Sequence, residues 1–502
     1  MTIKKLHGVT TYWSYGGGPD HLKPGEPFDD RIGPGFGLQR AFCDNFRFHH
    51  GSPDSSTPNG DGRLQVERTP QGFYTDSYLE YLKSQDIKTI WCTQGRMGWQ
   101  NCLGRKNKIN PVDDSADRMN PQSWFDAGEF CRQIAIRYAD DTSDLVNEAN
   151  VWSAEKPESN WWLSNEAKAG LGILDAIEIG NEWNFPASWS EAKATLTPQE
   201  YAVMFMVCYD AIRSVSENIE IIMGGGLGGS VHVYEDLPIF LETLERLYAD
   251  RGRSMPTDFS LCFHWYMRED GGGQGGAGTR GESPEKVDAY KVGLELDRLC
   301  EEYGLEGWYN TETGWSADAD GSLDTSKNSA PVQEGLSQLE SQAVLMQRLT
   351  LIWGATKYCK GITYWHCRDH YDSGAFLNGG VCAPDWSPKP ALTWSEEFLN
   401  EWGDYNVITN SFVDRGDGTY EVVVSNVEST YKLGWSDGQV VGDYTPVPTI
   451  MDSVTPPEPE PEPNPSGSCD CKCCKDGVIE VNKIEWPGVG TLIVDTPIKL
   501  HL

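Results

Sequence analysis

The chain has 502 residues, enough for one large domain with smaller attachments. Its 75 acidic and 41 basic residues give a formal net charge of −34, which argues against nucleic acid and against an anionic membrane surface as partners. No apolar run approaches the roughly 20 residues of a membrane helix, and the N-terminus lacks the apolar core of a cleavable signal peptide. We therefore expect a soluble chain without membrane insertion, either cytoplasmic or held in a larger particle or surface assembly.

Eight short segments in the first 400 residues have the composition of β-strands. They are rich in Ile, Val, Thr and aromatic residues, and most of them run into polar or glycine-rich loops. In chain order they span residues 6–13, 36–42, 87–93, 175–181, 219–226, 258–266, 306–313 and 360–366.

Helix-like segments separate several of these strands. The segment 198–215 follows Thr197, a predicted N-cap, and has Pro198 at its first position. The segment 284–304 has apolar spacings of three and four residues, and 337–357 is a third helix-like stretch. Eight strands alternating with helices predict a parallel sheet, and eight is the number that closes a (β/α)₈ TIM barrel. A doubly wound open sheet is the alternative, but no GxGxxG motif follows the first strand.

The pattern changes after residue 400. Residues 401–454 alternate with period two around the turn sequence "GDG", which predicts a small β appendage. Residues 455–468 form a Pro/Glu-rich linker that cannot bury a core. Residues 469–502 are a cysteine-rich and apolar tail, β-prone but short for independent folding. We expect this tail to be an attachment segment for a protein partner or for oligomerisation.

The tail begins with the cysteine cluster "CDCKCC" at residues 469–474. Such a cluster is compatible with a soft metal such as zinc, with intermolecular disulfides, or with plain thiols. It lacks the two-residue gaps that let zinc ligands converge, so no function is assigned to it.

Two glutamates end predicted strands. Glu182 ends the fourth strand in "DAIEIGNEWN", and Glu312 ends the seventh in "WYNTETGW". Either one alone is also compatible with a solvated strand end. In a (β/α)₈ barrel, however, the C-terminal strand ends meet at one mouth, where catalytic groups lie. A pair of carboxyl groups there suits the cleavage of a glycosidic bond.

The two stretches resemble the catalytic signatures of clan A retaining glycoside hydrolases, a (β/α)₈-barrel superfamily. The resemblance covers roughly residues 6–395 and rests on "IEIGNEWN" and "WYNTETGW". It implies that Glu182 is the general acid/base and Glu312 the nucleophile. It also implies that Asn181 hydrogen-bonds the 2-hydroxyl of the bound sugar.

Four further positions match features common in that clan. His264 and Tyr266 in "CFHWY" share one face of the sixth strand, and the resemblance places them beside the nucleophile. Arg40 in "LQRAF" matches an arginine near the nucleophile, and Trp365 in "TYWHC" matches an aromatic floor under the sugar. The structural alternatives are an ion pair for Arg40, a hydrogen-bonded core histidine for His264 and core packing for Trp365.

The resemblance implies a retaining β-glycoside hydrolase that cleaves a poly- or oligosaccharide by double displacement. The two carboxyl groups should then lie about 5–5.5 Å apart, and no metal or organic cofactor is expected. The alternative is a non-catalytic carbohydrate-binding or structural module on the same barrel, attached to a larger assembly by its tail.

Overall fold

The computed structural model of the protein describes most of the barrel and two C-terminal β structures. Its contacts divide the chain into two compact units, Met1–Val454 and Thr455–Leu502. The residues described are 1–11, 35–44, 64–65, 75–94, 117–149, 151–153, 166–184, 196–268, 281–324, 328–369, 378–436, 449–453, 478–486 and 490–501.

Eight parallel strands form a closed barrel in the first unit. They are β1 (His7–Thr11), β2 (Leu38–Asp44), β3 (Lys88–Gln94), β4 (Ala176–Ile179), β5 (Glu220–Met223), β6 (Ser260–His264), β7 (Gly307–Thr313) and β8 (Cys359–Trp365). Each strand pairs with the next along the chain, and β8 pairs with β1. The predicted (β/α)₈ barrel is confirmed, and the open sheet is excluded because β8 and β1 close the ring.

Helices follow seven of these strands among the described residues. A short helix, α1 (Ile3–Leu6), precedes β1. The helices that follow β2 to β8 are α2 (Thr75–Ser84), α3 (Phe125–Tyr138), α4 (Pro198–Arg213), α5 (Leu237–Ala249), α6 (Ala289–Tyr303), α7 (Gln338–Gly354) and α8 (Pro390–Trp402). None of the helices described is long and apolar enough to cross a membrane.

Local sequence signals explain where the helices begin and end. Thr197 and Glu200 form a capping box at the start of α4, so the predicted N-cap is confirmed. Helix α6 ends at Gly304 in the left-handed conformation, with φ of 68°. It begins at Ala289, later than the predicted residue 284, because Asp288 has φ of 56° and interrupts the helix.

The barrel is polar at its N-terminal end. Lys88, Glu220, Tyr309 and Lys360, which we call the basal cluster, close this end of the barrel with charged contacts. The Nζ atoms of Lys88 and Lys360 each lie 2.5 Å from a carboxylate oxygen of Glu220. The Tyr309 hydroxyl lies 3.1 Å from Glu220. Apolar side chains fill the space between the strands and the surrounding helices.

A small antiparallel sheet follows α8 in the same unit, as predicted. Its strands are β9 (Asn406–Val407), β10 (Val413–Asp414), β11 (Thr419–Ser425), β12 (Thr430–Ser436) and β13 (Thr449–Ser453). The turn between β10 and β11 contains the "GDG" sequence, whose glycines Gly416 and Gly418 have positive φ. Arg348 of α7 joins the sheet to the barrel by donating a hydrogen bond to the Ser436 carbonyl (3.1 Å).

The second unit contains an antiparallel hairpin of β14 (Val478–Trp486) and β15 (Gly490–His501). The linker 455–468 and the cysteine cluster 469–474 lie outside the described residues. The finer division of the C-terminal region and its role in attachment stay predictions.

Candidate active site

In the "DAIEIGNEWN" stretch, the residues that follow β4 have an uncommon backbone conformation. After β4, Gly180 has φ of 89° and Glu182 has φ of 43°, a left-handed value that costs a non-glycine residue roughly 1–3 kcal/mol. Hydrogen bonds to the segment after β5 hold this conformation. The Glu182 N–H donates to the Gly225 carbonyl (2.8 Å), and the Trp183 indole donates to the Gly224 carbonyl (3.0 Å). The carboxyl group of Glu182 is thereby fixed at the mouth and is buried.

A β-bulge turns Glu312 into the same mouth. On β7, Asn310 pairs with Phe263 and Glu312 pairs with His264, so Thr311 is an extra residue opposite β6. Residues of a regular strand alternate between faces, but here Thr311 and Glu312 both contact residues of the barrel interior. Bulges commonly re-aim side chains beside functional sites.

Arg40 lies at the centre of the site and is completely buried. Its Nη1 donates to Glu312 Oε1 (2.7 Å), and its Nε donates to Glu178 Oε2 (2.6 Å). Its Nη2 donates to Glu178 Oε1 (2.9 Å) and to Asn181 Oδ1 (2.8 Å). One guanidinium therefore fixes three side chains from β4, its extension and β7.

The charges around Arg40 favour its cationic form. Burial alone would lower the pKa of Arg40, but the neighbouring carboxylates of Glu178 and Glu312 raise it well above its ordinary value. The guanidinium is thus a permanent cation, and it balances part of the negative charge at the mouth.

Tyr266 holds the second oxygen of Glu312. Its hydroxyl donates to Glu312 Oε2 (3.0 Å). Burial raises the pKa of Tyr266 well above its ordinary value, and the negative charge of Glu312 raises it further. The phenol therefore stays protonated, and both oxygens of Glu312 accept a hydrogen bond.

His264 connects the two carboxyl groups. Its Nδ1 lies 3.3 Å from Glu182 Oε1 and 3.8 Å from Glu312 Oε2. The resemblance had placed this histidine beside the nucleophile, whereas in the structure its closer carboxyl neighbour is Glu182. Its Nε2 lies 3.0 Å from the Thr311 hydroxyl.

The two catalytic candidates face each other closely. A carboxyl oxygen of Glu182 and one of Glu312 lie within 4.8 Å of one another and of a ring nitrogen of His264. Carboxyl groups about 5–5.5 Å apart are typical of retaining glycosidases, and about 6.5–9.5 Å of inverting ones. Oxygens within 4.8 Å of one another are compatible with the retaining separation.

Two residue sets in the described part of the chain have the spacing of metal ligands: Glu182, His264 and Glu312, and Glu178, Cys262 and His264. In both sets a carboxylate already pairs with Arg40. Burial raises the pKa of Cys262 well above its ordinary value, so this side chain is a thiol rather than the thiolate that binds metals. The carboxylates of these two sets are therefore better suited to pairing with the Arg40 cation than to binding a metal ion.

Asn181 and Trp365 are the two residues predicted to contact the sugar directly. Asn181 is buried and joined to Arg40, which occupies its carbonyl oxygen. Trp365 is half-buried at the end of β8, with its ring 5.0 Å from that of His366. The structure therefore brings Arg40, Asn181, Glu182, His264, Tyr266 and Glu312 into one contact network, and the sugar contact of Trp365 stays a prediction.

The sequence interpretation missed Glu178 and Thr311. Glu178 is fully buried inside the barrel and accepts hydrogen bonds from Arg40, Thr311 and the Gly225 N–H. A charged residue within the apolar run "AIEI" was the available signal, because an ionised glutamate is almost never fully buried without a partner.

A run of three glycines after β5 was also missed as part of the site. A Cβ atom on Gly224 would lie 2.4 Å from the Gly180 carbonyl oxygen, and one on Gly225 would lie 2.2 Å from His264 Nε2. A Cβ atom on Gly226 would lie 2.1 Å from the His232 ring. The sequence "GGG" therefore allows the close approach of this backbone to the extension of β4 and to the His264 and His232 rings.

Comparison with known proteins establishes the fold. No family model and no curated protein matches the sequence. Among solved structures, a family 39 glycoside hydrolase from Bacteroides cellulosilyticus WH2 matches with a TM-score of 0.53 and 14% identity, over 86% of this chain and 71% of that one. At this identity the likeness shows the fold alone.

Two other solved structures match less closely. A GH39 enzyme from Xanthomonas axonopodis pv. citri has a TM-score of 0.46, with 14% identity over 88% of this chain and 73% of that one. A family 51 α-L-arabinofuranosidase from Bifidobacterium longum has a TM-score of 0.47, with 13% identity over 86% and 82%. The match to the family 39 glycoside hydrolase from Bacteroides cellulosilyticus WH2 confirms the predicted resemblance at the level of the fold.

Proposed function

We propose that the protein is a retaining β-glycoside hydrolase acting on a poly- or oligosaccharide. The observation that supports this most strongly is the pair of buried carboxyl groups, Glu182 and Glu312, with oxygens within 4.8 Å of one another at the barrel mouth. Their different surroundings suit different roles. Glu312 accepts from Arg40 and Tyr266, as a nucleophilic carboxylate should, whereas Glu182 faces a histidine nitrogen.

In the first step, Glu312 attacks the anomeric carbon while Glu182 gives its proton to the leaving oxygen. The bond between the anomeric carbon and the leaving oxygen breaks, the leaving group departs as an alcohol, and a glycosyl ester forms on Glu312. In the second step, Glu182 takes a proton from water, whose oxygen attacks the anomeric carbon and releases Glu312. The sugar product keeps its original anomeric configuration.

Neighbouring residues would support these steps. Arg40 and Tyr266 aim the Glu312 oxygens at the anomeric carbon. The Asn181 carbonyl oxygen faces Arg40, so its amide N–H groups are the donors offered to a sugar 2-hydroxyl. Trp365 would stack against the apolar face of the sugar ring.

The test begins with a panel of 4-nitrophenyl β-glycosides and β-linked polysaccharides. We expect the wild-type chain to hydrolyse at least one of them, and NMR of the first product to show the retained anomer. Glu312→Gln should lower kcat by about 1,000-fold or more, since the nucleophile is lost. The exposed Glu334→Gln is the matched control and should keep wild-type turnover.

Two outcomes would contradict the proposal. An inverted product would exclude the double displacement. Glycan binding that is equal in the wild-type and Glu312→Gln chains, with no turnover in either, would instead identify a non-catalytic carbohydrate-binding module on this barrel.

A further inference from the structure

We propose that Glu178 and Thr311, acting through His264, keep the transferable proton on Glu182 when the site is empty. The four residues form a buried chain of hydrogen bonds, which we call the relay. This inference rests on the proposed function, because it is the acid/base role of Glu182 that gives the proton its use. Glu178 and Thr311 are then positioning residues, since neither lies at the reacting atoms.

The relay begins at Glu178, which accepts hydrogen bonds and donates none. Glu178 is fully buried and accepts from Arg40 Nε (2.6 Å), Arg40 Nη2 (2.9 Å) and the Gly225 N–H (3.1 Å). A carboxylate paired in this way with a guanidinium only accepts hydrogen bonds. The Thr311 hydroxyl, 3.1 Å from Glu178 Oε1, must therefore donate its proton to Glu178.

The second link follows from the single proton of a hydroxyl. Because Thr311 donates it to Glu178, its oxygen can only accept from its two other neighbours. These are Cys262 Sγ at 2.9 Å and His264 Nε2 at 3.0 Å. Burial raises the pKa of the Cys262 thiol well above its ordinary value, so this thiol has a proton to donate. His264 Nε2 must likewise carry a hydrogen.

The third link decides where the catalytic proton lies. A neutral imidazole with hydrogen on Nε2 has a lone pair on Nδ1, and that atom is 3.3 Å from Glu182 Oε1. Two lone pairs facing each other are repulsive, so this contact is favourable when Glu182 carries the proton.

In the competing arrangement, the Glu182 proton lies on His264 Nδ1. His264 is then an imidazolium beside the Glu182 carboxylate. His264 is 0% and Glu182 5% exposed, so burial penalises both charges of that pair. The other charged and titratable groups facing it are Arg40 from β2, Glu178 from β4, Glu312 from β7 and Tyr266 beyond β6. Arg40 already pairs with Glu178 and Glu312, which weakens the electrostatic attraction of these two carboxylates for a His264 imidazolium.

The relay suits both halves of the proposed reaction. Before the leaving group departs, Glu182 holds the proton that the leaving oxygen needs. After the transfer, neutral His264 offers no N–H to the Glu182 carboxylate, so that carboxylate keeps the basicity needed to take a proton from water.

Removing the Thr311 hydroxyl tests the relay. In a full-length Thr311→Val chain, His264 is free to carry its hydrogen on Nδ1 and donate it to the Glu182 carboxylate. The charged form of Glu182 is then favoured, so Glu182 loses its proton at lower pH. We expect the alkaline limb of the pH profile of kcat/KM to move down by about one pH unit.

Leaving-group dependence makes the test specific. The shift should appear with an alkyl β-glycoside, whose departure needs the proton, and be much smaller with the 4-nitrophenyl β-glycoside of the same sugar. Thr311→Ser keeps the hydroxyl and should restore the wild-type profile. An unchanged profile in Thr311→Val, with normal hydrolysis by the wild type, would overturn the relay while the proposed function stands.

A second measurement needs neither activity nor the Thr311→Val variant. In the wild-type chain labelled with ¹⁵N-histidine, the His264 signals are assigned by their loss in His264→Gln. We expect hydrogen on Nε2 and none on Nδ1 at the pH of the activity assay. A hydrogen on Nδ1 would overturn the proposal. Absence of glycoside turnover, by contrast, would count against the proposed function alone.

Discussion

Arg40 joins two buried carboxylates, Glu178 and Glu312, and is the residue whose loss should disturb the site most. Arg40→Met keeps much of the apolar volume but leaves both carboxylates without their cation. Breaking a buried ion pair from one side costs roughly 3–5 kcal/mol, so we expect a fall of that size in the free energy of unfolding. Urea denaturation at pH 7 measures it.

Arg298→Met is the matched control for this prediction. Arg298 pairs with Glu295 and Glu302 on the surface of α6, and its side chain is 52% exposed. Exposed pairs contribute at most about 1 kcal/mol, so this loss should be small. Combining Arg40→Met with Glu178→Gln should recover part of the stability, because one unpaired charge disappears. Equal losses for Arg40→Met and Arg298→Met would contradict the central role of Arg40.

The same residues show what sequence can predict at this scale. Glu182 and Glu312 could be chosen as candidates because each ends a predicted strand in a motif of recognisable type. Glu178 lies four residues before Glu182, and Thr311 lies one residue before Glu312. Their importance depends on partners 138 and 133 residues away. Hydrogen-bond direction among buried groups follows from three-dimensional distances, which no local pattern contains.

At the scale of elements, the extension of β5 leaves no room for side chains at Gly224, Gly225 and Gly226. In Gly225→Ala, the new Cβ would lie 2.2 Å from His264 Nε2, so the imidazole must move and lose its contact with Thr311. A displacement of about 1 Å at a catalytic group can cost 100-fold in rate, and we expect kcat to fall by about 10- to 100-fold. Steady-state kinetics on a 4-nitrophenyl β-glycoside measures the change.

Gly335→Ala separates this clash from the general effect of adding a methyl group. Gly335 has φ of 79°, and a Cβ there meets no atom within 4 Å. This control should lose about 1 kcal/mol of stability through backbone strain and keep its kcat. Wild-type kcat in Gly225→Ala would show that the close approach to His264 is not required.

The strands themselves were predictable, and their irregularities were not. All eight barrel strands follow from short runs of β-prone residues that end in polar loops. The bulge at Thr311, by contrast, arises from pairing with both neighbours, and it decides that Glu312 points into the mouth. Helix α6 likewise starts where the backbone of Asp288 interrupts it, which the apolar spacing of 284–304 does not reveal.

At the scale of the whole molecule, the barrel is charged at both ends, and the two ends are predicted to serve different purposes. The mouth holds the candidate catalytic groups. The basal cluster at the other end has Glu220 between Lys88 and Lys360, with no part in the proposed reaction. Because this cluster links β3, β5, β7 and β8, its charge state should affect the stability of the closed barrel rather than turnover.

Acid titration of Glu220 gives the test. Burial alone would raise the pKa of Glu220, but Lys88 and Lys360 lower it from 4.5 to about 2. A folded-state pKa below the unfolded value stabilises the protein above about pH 4.5, and this contribution is lost as the pH falls towards 2. The shift corresponds to about 3 kcal/mol at neutral pH. Glu220→Gln should therefore lose about that much stability at pH 7.

The decisive measurement is the difference in unfolding free energy between the wild-type and Glu220→Gln chains, taken by urea denaturation at several pH values from 7 to 2. Titration of the many other carboxylates is common to both chains and cancels in the difference. We expect a gap that is constant above about pH 4.5 and closes towards pH 2. The exposed Glu428→Gln should show almost no gap at any pH. A gap for Glu220→Gln that does not depend on pH would mean that packing, and not the charge held between the two lysines, is what Glu220 contributes.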